Sequence, residues 1–189
     1  MEIVQIVTQR IYSGKLLVNE SENEWISTGP GLVLYISFIS DDQSSSSTGL
    51  VERFQKIIKG LMTAKLATLS GWKSDHSDAE SVHNIVSGTS DTPFHIVVIP
   101  QATLSGKLKL GDKYLKYHRQ VSKERGFQLC SEFLISLVNF FDPSFSQIDT
   151  NKNQQDIIPN RLILSSGTYG GRQGLEMVST GPSTHFFQY

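Results

Sequence analysis

The stretch Gln101-Ala102-Thr103-Leu104-Ser105-Gly106 turns polar directly after the apolar run His95-Ile96-Val97-Val98-Ile99, with Pro100 between them. Proline lacks a backbone donor, so it marks the end or edge of a buried strand and sends the next residues to the surface or into a cleft. In such a turn Thr103 offers a hydroxyl, and Gln101 offers both a donor and an acceptor. As a nucleophile Thr103 would need an adjacent base, and none stands at a defined spacing. That favours a positioning role, with the hydroxyl bonding the loop or a substrate. Gln101 can orient a bound group, brace the turn, or be a buried structural amide.

Other reactive types are sparse. The five histidines (His76, His83, His95, His118, His185) include no pair at metal-ligand spacing, which argues against a zinc or iron centre. Cys130 is the only cysteine, so an internal disulfide and a thiolate-rich zinc site are both excluded. It falls in the series Phe127, Cys130, Phe133, Leu134, Leu137, Val138, Phe141, the face of one helix, where a buried and inert thiol is expected. Gly167-Thr168-Tyr169-Gly170-Gly171 lacks both the spacing and the lysine of a phosphate-binding loop, and no Gly-x-Ser-x-Gly elbow occurs. A Ser/His/Asp triad has no fixed spacing and stays open. No cofactor and no metal are expected.

Charge is uneven. The chain carries a net −1, yet Lys107 to Arg125 holds seven basic residues against two acids, +5 locally, leaving −6 elsewhere. A charge run is commonly a solvated face. Here it interleaves Tyr114, Tyr117 and His118 with Lys107, Lys109, Lys113 and Lys116, a mixture suited to phosphates and to exposed ribose or base faces.

Hydrophobic period assigns the elements that would hold these residues. Glu2–Thr8 and Lys15–Val18 read as strands, Asn19–Trp25 as a surface connection, and Leu32–Ile39 as the strongest strand. Asp41–Ser47 is a serine-rich loop. Leu50, Val51, Phe54, Ile57, Ile58, Leu61 and Met62 recur at helical spacing, placing an amphipathic helix over 49–64. Lys65–Leu69 looks extended, Ser70–Glu80 is a polar loop, and Val82–Val86 reads as a short strand. Ser122 can cap a second helix to about Phe141. Asp142–Pro159 reads as a long connection, and Gly174–Val178 and His185–Gln188 as closing strands. The expected fold is α+β: a single domain over 1–189 with a mainly antiparallel, barrel-like sheet and two amphipathic helices packed outside. The longest apolar run falls well short of the ~20 residues of a spanning helix, and the acidic start does not read as a signal peptide; cytoplasm is the default.

Two stretches resemble a known family. Pro100-Gln101-Ala102-Thr103-Leu104 and, roughly eighty residues later, Gly181-Pro182-Ser183-Thr184-His185 are similar to the paired signatures of the D-aminoacyl-tRNA deacylases, Ser-Gln-Phe-Thr-Leu and Asn-x-Gly-Pro-x-Thr. The variant here looks like the animal-type branch. Val4-Gln5, Gly29-Pro30-Gly31-Leu32, Lys65-Leu66, Gly167-Thr168-Tyr169-Gly170 and Arg172-Gln173 fall in matching order. Ile6 stands where the common branch has arginine, and Ser179, Thr180 and Ser183 depart from the animal-type pattern.

The resemblance implies a homodimeric hydrolase acting on the ester of aminoacyl-tRNA, removing D-amino acids and, in the animal-type branch, L-alanine from a mismatched tRNA. A silent RNA-binding module of the same fold is the alternative. The substrate's ribose 2′-OH would be the activated group, with backbone amides of the turn at Ala102-Thr103-Leu104 facing the developing oxyanion. Gln101 could then orient the adenosine. Pro100, Leu104 and Thr184 would line the substrate site, and the methyl of Ala102, where the family commonly has phenylalanine, would leave room. Gly181-Pro182 would be the chirality filter, reaching into the partner's pocket; alone, it would read as a hairpin turn. Lys107, Lys109, Lys113 and Lys116 would track acceptor-stem phosphates.

Overall fold

The computed structural model describes residues 2–40, 49–69, 79–144, 154–158, 161–179, 181 and 183–189. β-Branched and aromatic residues build two long strands, β1 (Glu2–Ile11) and β4 (Gly31–Ser40), linked through β2 (Ser13–Asn19) and β3 (Glu24–Thr28). After them come α1 (Leu50–Thr63), α2 (Val82–Ser87), β5 (Phe94–Pro100), a short 3-10 turn (Ala102–Ser105), β6 (Gly106–Lys107) and β7 (Lys116–Tyr117). The chain closes with α3 (Lys123–Phe141), β8 (Gln154–Ile158), β9 (Leu162–Ser166), β10 (Leu175–Val178) and β11 (Thr184–Gln188).

A six-stranded sheet in the order β11-β1-β4-β5-β9-β8 lies between the helices and a three-stranded sheet β10-β2-β3. Alternation along β4 explains the layering, because successive side chains of a strand point to opposite faces. Leu32, Leu34, Ile36 and Phe38 join Phe54, Ile58, Phe133 and Leu137 under α1 and α3, whereas Val33 joins Val97, Ile99, Ile11 and Leu16 under the small sheet. Buried on both faces, β4 and β5 are near-continuous apolar runs, as a parallel pair requires.

β4, β5 and β9 are parallel, with Ile36 opposite Pro100 and Val98 opposite Ser166; the other pairs are antiparallel. Gly31 fixes the β4/β5 approach, since a Cβ there would lie 1.9 Å from the His95 carbonyl oxygen. Three strands therefore end side by side, and an open sheet offers its crevice at such carboxyl ends.

The α+β expectation is met, and the structure corrects several of its parts. Val82–Val86 is helical, with Ser81 accepting from the Asn84 amide at 3.1 Å as its cap, so the described residues hold three α-helices rather than two. The expected connections at 19–25 and 142–159 contain the start of β3 and all of β8, and β9 is a strand that hydrophobic period does not assign. Val51 and Phe127 are exposed, at 52% and 53%, while Leu129 takes the core place assigned to Phe127. The loops at 41–47 and 70–78 lie outside the described residues.

Candidate active site

At the carboxyl ends of β4, β5 and β9 opens a cavity of about 570 Å³. Tyr35–Phe38 form one wall, Ile99–Thr103 a second, and Tyr169–Gly171 with Gln173 the third; Gln120, Val121, Lys123 and Leu175 complete the lining. The sequence-predicted Pro100, Gln101, Ala102 and Thr103 thus share one surface. Leu104 and Thr184 are not among its lining residues.

Main-chain bonds dictate what the turn can offer. The Gln101 amide donates to Ile36 O at 2.7 Å, pinning the end of β5 to β4, and the Leu104 amide donates to Gln101 O at 3.2 Å. The first N–H groups of a helical turn precede its hydrogen-bond ladder and have no partner within it. In this turn they belong to Ala102 and Thr103, both exposed at the cavity wall. Two backbone donors side by side, at the rim of a partly apolar cavity, can stabilise an oxyanion.

The described lining contains no aspartate, glutamate or histidine. Burial pushes the phenols of Tyr35 and Tyr169 up, the latter also through the nearby Cys130, so at neutral pH both are protonated. Neither is a base for Thr103. Cys130 itself is buried on α3, its thiol pushed up to about 12 by desolvation, and inert.

Packing holds the third wall. Tyr169 lies against Gly126 of α3, where a Cβ would come within 1.8 Å of the phenolic oxygen; Gly170 likewise lies against the Lys123 stem. Sequence reasoning matched Tyr169, Gly170 and Gln173 to a pattern without placing them in the site. Gln120 and Tyr35 carry no such signal in the sequence, and Lys123 stands there only as one of the basic series. Ser122 does cap α3, accepting from the Arg125 amide at 3.1 Å, and so directs Lys123 to the cavity.

Gly181 and Thr184 sit elsewhere, beside β1. Gln9 donates to Ser179 Oγ at 3.0 Å and accepts from the Thr184 hydroxyl. The Gly181 carbonyl accepts from the Ser183 amide at 2.8 Å and from the Ser179 hydroxyl. Gly181 holds φ at 149°, a region that favours glycine. Pro182 lies outside the described residues.

The basic series divides by position. Gly106 starts the β6/β7 hairpin directly after the catalytic-turn candidate, and Lys107, Lys109 and Lys113 are exposed with no ion pair among the described residues. Lys116 instead pairs with Asp112 at 2.8 Å, and Asp112 also accepts from the Lys109 amide at 3.0 Å. The Lys116 bond first and the Lys109 amide second hold the Asp112 carboxyl below its ordinary range. Arg125 turns away to Glu2 at 2.7 Å.

Comparison with known proteins decides among folds that could present such a cavity. A family model described as D-Tyr-tRNA(Tyr) deacylase matches residues 7–188. The chain belongs to the D-Tyr-tRNA(Tyr) deacylase family. Within this deacylase family, a chicken relative named D-aminoacyl-tRNA deacylase 2 is 31% identical over 169 residues, covering 89% of this chain and 83% of the relative. The human protein of the same name is 29% identical over 166 residues, covering 88% of this chain and 80% of its own. A solved structure described as a probable eukaryotic D-amino acid tRNA deacylase superposes with a TM-score of 0.74 at 27% identity, covering 99% of this chain and 100% of that one.

Proposed function

We propose that this chain hydrolyses the ester of mischarged D-aminoacyl-tRNA, and of L-alanyl-tRNA(Thr), as a homodimer in the cytoplasm. One observation carries the reading: a cavity rimmed by two amides with no backbone partner among the described residues, and whose described lining holds no carboxylate or imidazole. Activation of the attacking water must come from outside these side chains, and the ribose 2′-OH beside the ester can hydrogen-bond that water: the water adds to the ester carbonyl, the C–O3′ bond breaks, and O3′ takes up the water's proton. The Ala102 and Thr103 amides stabilise the tetrahedral oxyanion, the Thr103 hydroxyl and Gln101 orient the terminal adenosine, and Pro100 and Leu104 keep the turn on the end of β5. Lys107, Lys109 and Lys113 meet acceptor-stem phosphates, while Lys116 stiffens the hairpin through Asp112.

A dimer completes the site. Gly181 and Thr184 do not line the cavity of their own protomer. Gly181 precedes β11 and Thr184 begins it; β11 is the outer strand of its sheet, and β10, just before them in the chain, is an outer strand of the smaller one. Phe186, Met177, Val178 and Tyr12 are exposed there. Unpaired edges with large apolar side chains favour a two-fold partner, which would bring Gly181-Pro182 to the neighbouring cavity. The Gly181 carbonyl already has two donors, so it offers an incoming α-ammonium little, consistent with a filter that admits L-alanine.

The test is ester loss from D-tyrosyl-tRNA and L-alanyl-tRNA(Thr) above the spontaneous rate. Acceleration of both is expected. Binding without acceleration would leave the silent RNA-binding module.

A further inference from the structure

The peptide joining Ala102 to Thr103 receives hydrogen bonds that the fold does not need for its own ladder. Ser105 is 2% exposed, and its hydroxyl donates to the Ala102 carbonyl at 2.8 Å. Gln120 Nε2 donates to that same carbonyl at 3.0 Å and to Ser105 Oγ at 3.1 Å, closing a three-membered network. Gln120 is held in place by its main chain: it bridges Ile39 at the end of β4, and Ser40 donates to Arg119 O at 2.7 Å. Arg119 sits at φ 63°, in the left-handed region that costs a non-glycine residue energy, and there the chain reverses to bring Gln120 over the turn.

In a trans peptide the carbonyl and the N–H point in opposite directions and share one conjugated system. Donors on the Ala102 oxygen therefore act on the Thr103 N–H in two ways: they fix where it points, and by polarising the amide they make it a stronger donor.

We infer that Ser105 and Gln120 are positioning residues, locking and polarising the Ala102–Thr103 peptide so that its N–H is preset for the oxyanion. This rests on the reading of the Ala102 and Thr103 amides as oxyanion donors. Neither residue touches the ester; each works through the peptide. The cost of reorienting a dipole during reaction is thereby met on folding, which is how preorganised electrostatic sites gain rate.

The experiment measures single-turnover ester loss from D-tyrosyl-tRNA in the full chain, with Ser105→Ala, Gln120→Met, their combination, and Thr103→Pro, which deletes the amide donor. Thr103→Val controls for loss of the Thr103 side chain while keeping that donor. Each single change at Ser105 or Gln120 lowers the saturating rate constant about five- to tenfold and leaves half-saturation within about twofold. The Thr103 amide proton and nitrogen resonances shift with the rate, while the thermal midpoint of Gln120→Met, changed at an exposed position, stays native. Should Ser105→Ala fail to fold, Gln120→Met decides alone. Unchanged rates in the Ser105 and Gln120 variants, with Thr103→Pro slower than Thr103→Val by more than the loss of the hydroxyl alone, would overturn the positioning role and spare the amide reading. An unchanged rate in Thr103→Pro would overturn both.

Discussion

The turn at 101–105 and the hairpin at 106–117 are consecutive in the chain and opposite in character. The turn is pinned to Ile36 by the Gln101 amide and braced by a buried serine, at the end of two strands whose side chains are buried on both faces. The hairpin pairs only two residues of each strand, and Leu108, Leu110, Tyr114, Leu115 and Tyr117 are all exposed. Main-chain dipoles held by a core cost nothing to reorganise and are little screened by salt, whereas exposed ammonium groups on flexible stems act at longer range and are screened by it. The proposed catalysis and RNA affinity thus fall to adjacent segments that obey different physics, and each can be disturbed without the other.

The largest effect is expected from breaking the anchored side at its root. Gly31→Ala places a methyl group 1.9 Å from the His95 carbonyl oxygen of β5, at the first register position of the parallel β4/β5 pair, where both backbones are held by the sheet. We expect a loss of about 3 kcal/mol in urea unfolding, and with it the cavity and its activity. Wild-type stability in this variant would show that the strand approach does not hold the turn.

The hairpin side is sharpened by charge. Lys107→Glu with Lys109→Glu should raise the half-saturating tRNA concentration about tenfold at low salt and flatten the logarithmic salt dependence by about 1.5 to 2, with the rate on bound substrate within about twofold. The thermal midpoint should not move, because both side chains are exposed and have no ion pair among the described residues. A rate that falls while the salt slope stays fixed would reverse the division of labour.

Legibility in the sequence divides along the same line. β5 and its turn are readable because an unbroken apolar run ends in proline and then in polar residues. The cap and core face of α3 are readable for the same local reason, apart from Phe127. Val82–Val86 reads as a strand although Val82, Ile85 and Val86 recur at helical spacing behind a serine cap; at six residues the helix is too short for its period to outweigh β-branching. β9 has no signal of its own in Leu-Ile-Leu-Ser-Ser, and only pairing beside β5 makes it a strand. Gln120 and Lys123 are illegible as site residues because a chain reversal at Arg119 and a helix start, not spacing, bring them to the cavity.

Arg125 tests where the boundary between the two regions falls. It belongs to the basic series by sequence, yet its Nε and Nη2 donate to Glu2 Oε1 at 3.0 and 2.7 Å, and Arg53 donates to the Glu2 carbonyl. It therefore ties β1 to α3 and would be withdrawn from the proposed RNA path. Burial raises the Glu2 carboxyl, but the Arg125 hydrogen bond, the residue's own amide and the guanidinium charge together bring it below its ordinary 4.5. A carboxyl with a lowered folded pKa adds stability that is complete above the unfolded value and disappears as pH falls through the folded one. Glu2→Gln should accordingly cost about 0.5 to 1 kcal/mol near pH 7, read as ~1 to 3 °C in thermal midpoint, with the gap to wild type closing below about pH 4.5. Half-saturation by tRNA should stay within about twofold at every salt concentration, since a single freed guanidinium on α3 lies off the hairpin's path. A gap that persists at low pH would remove the ion pair as its cause, and a tRNA affinity that tracks the substitution would move Arg125 back among the RNA contacts.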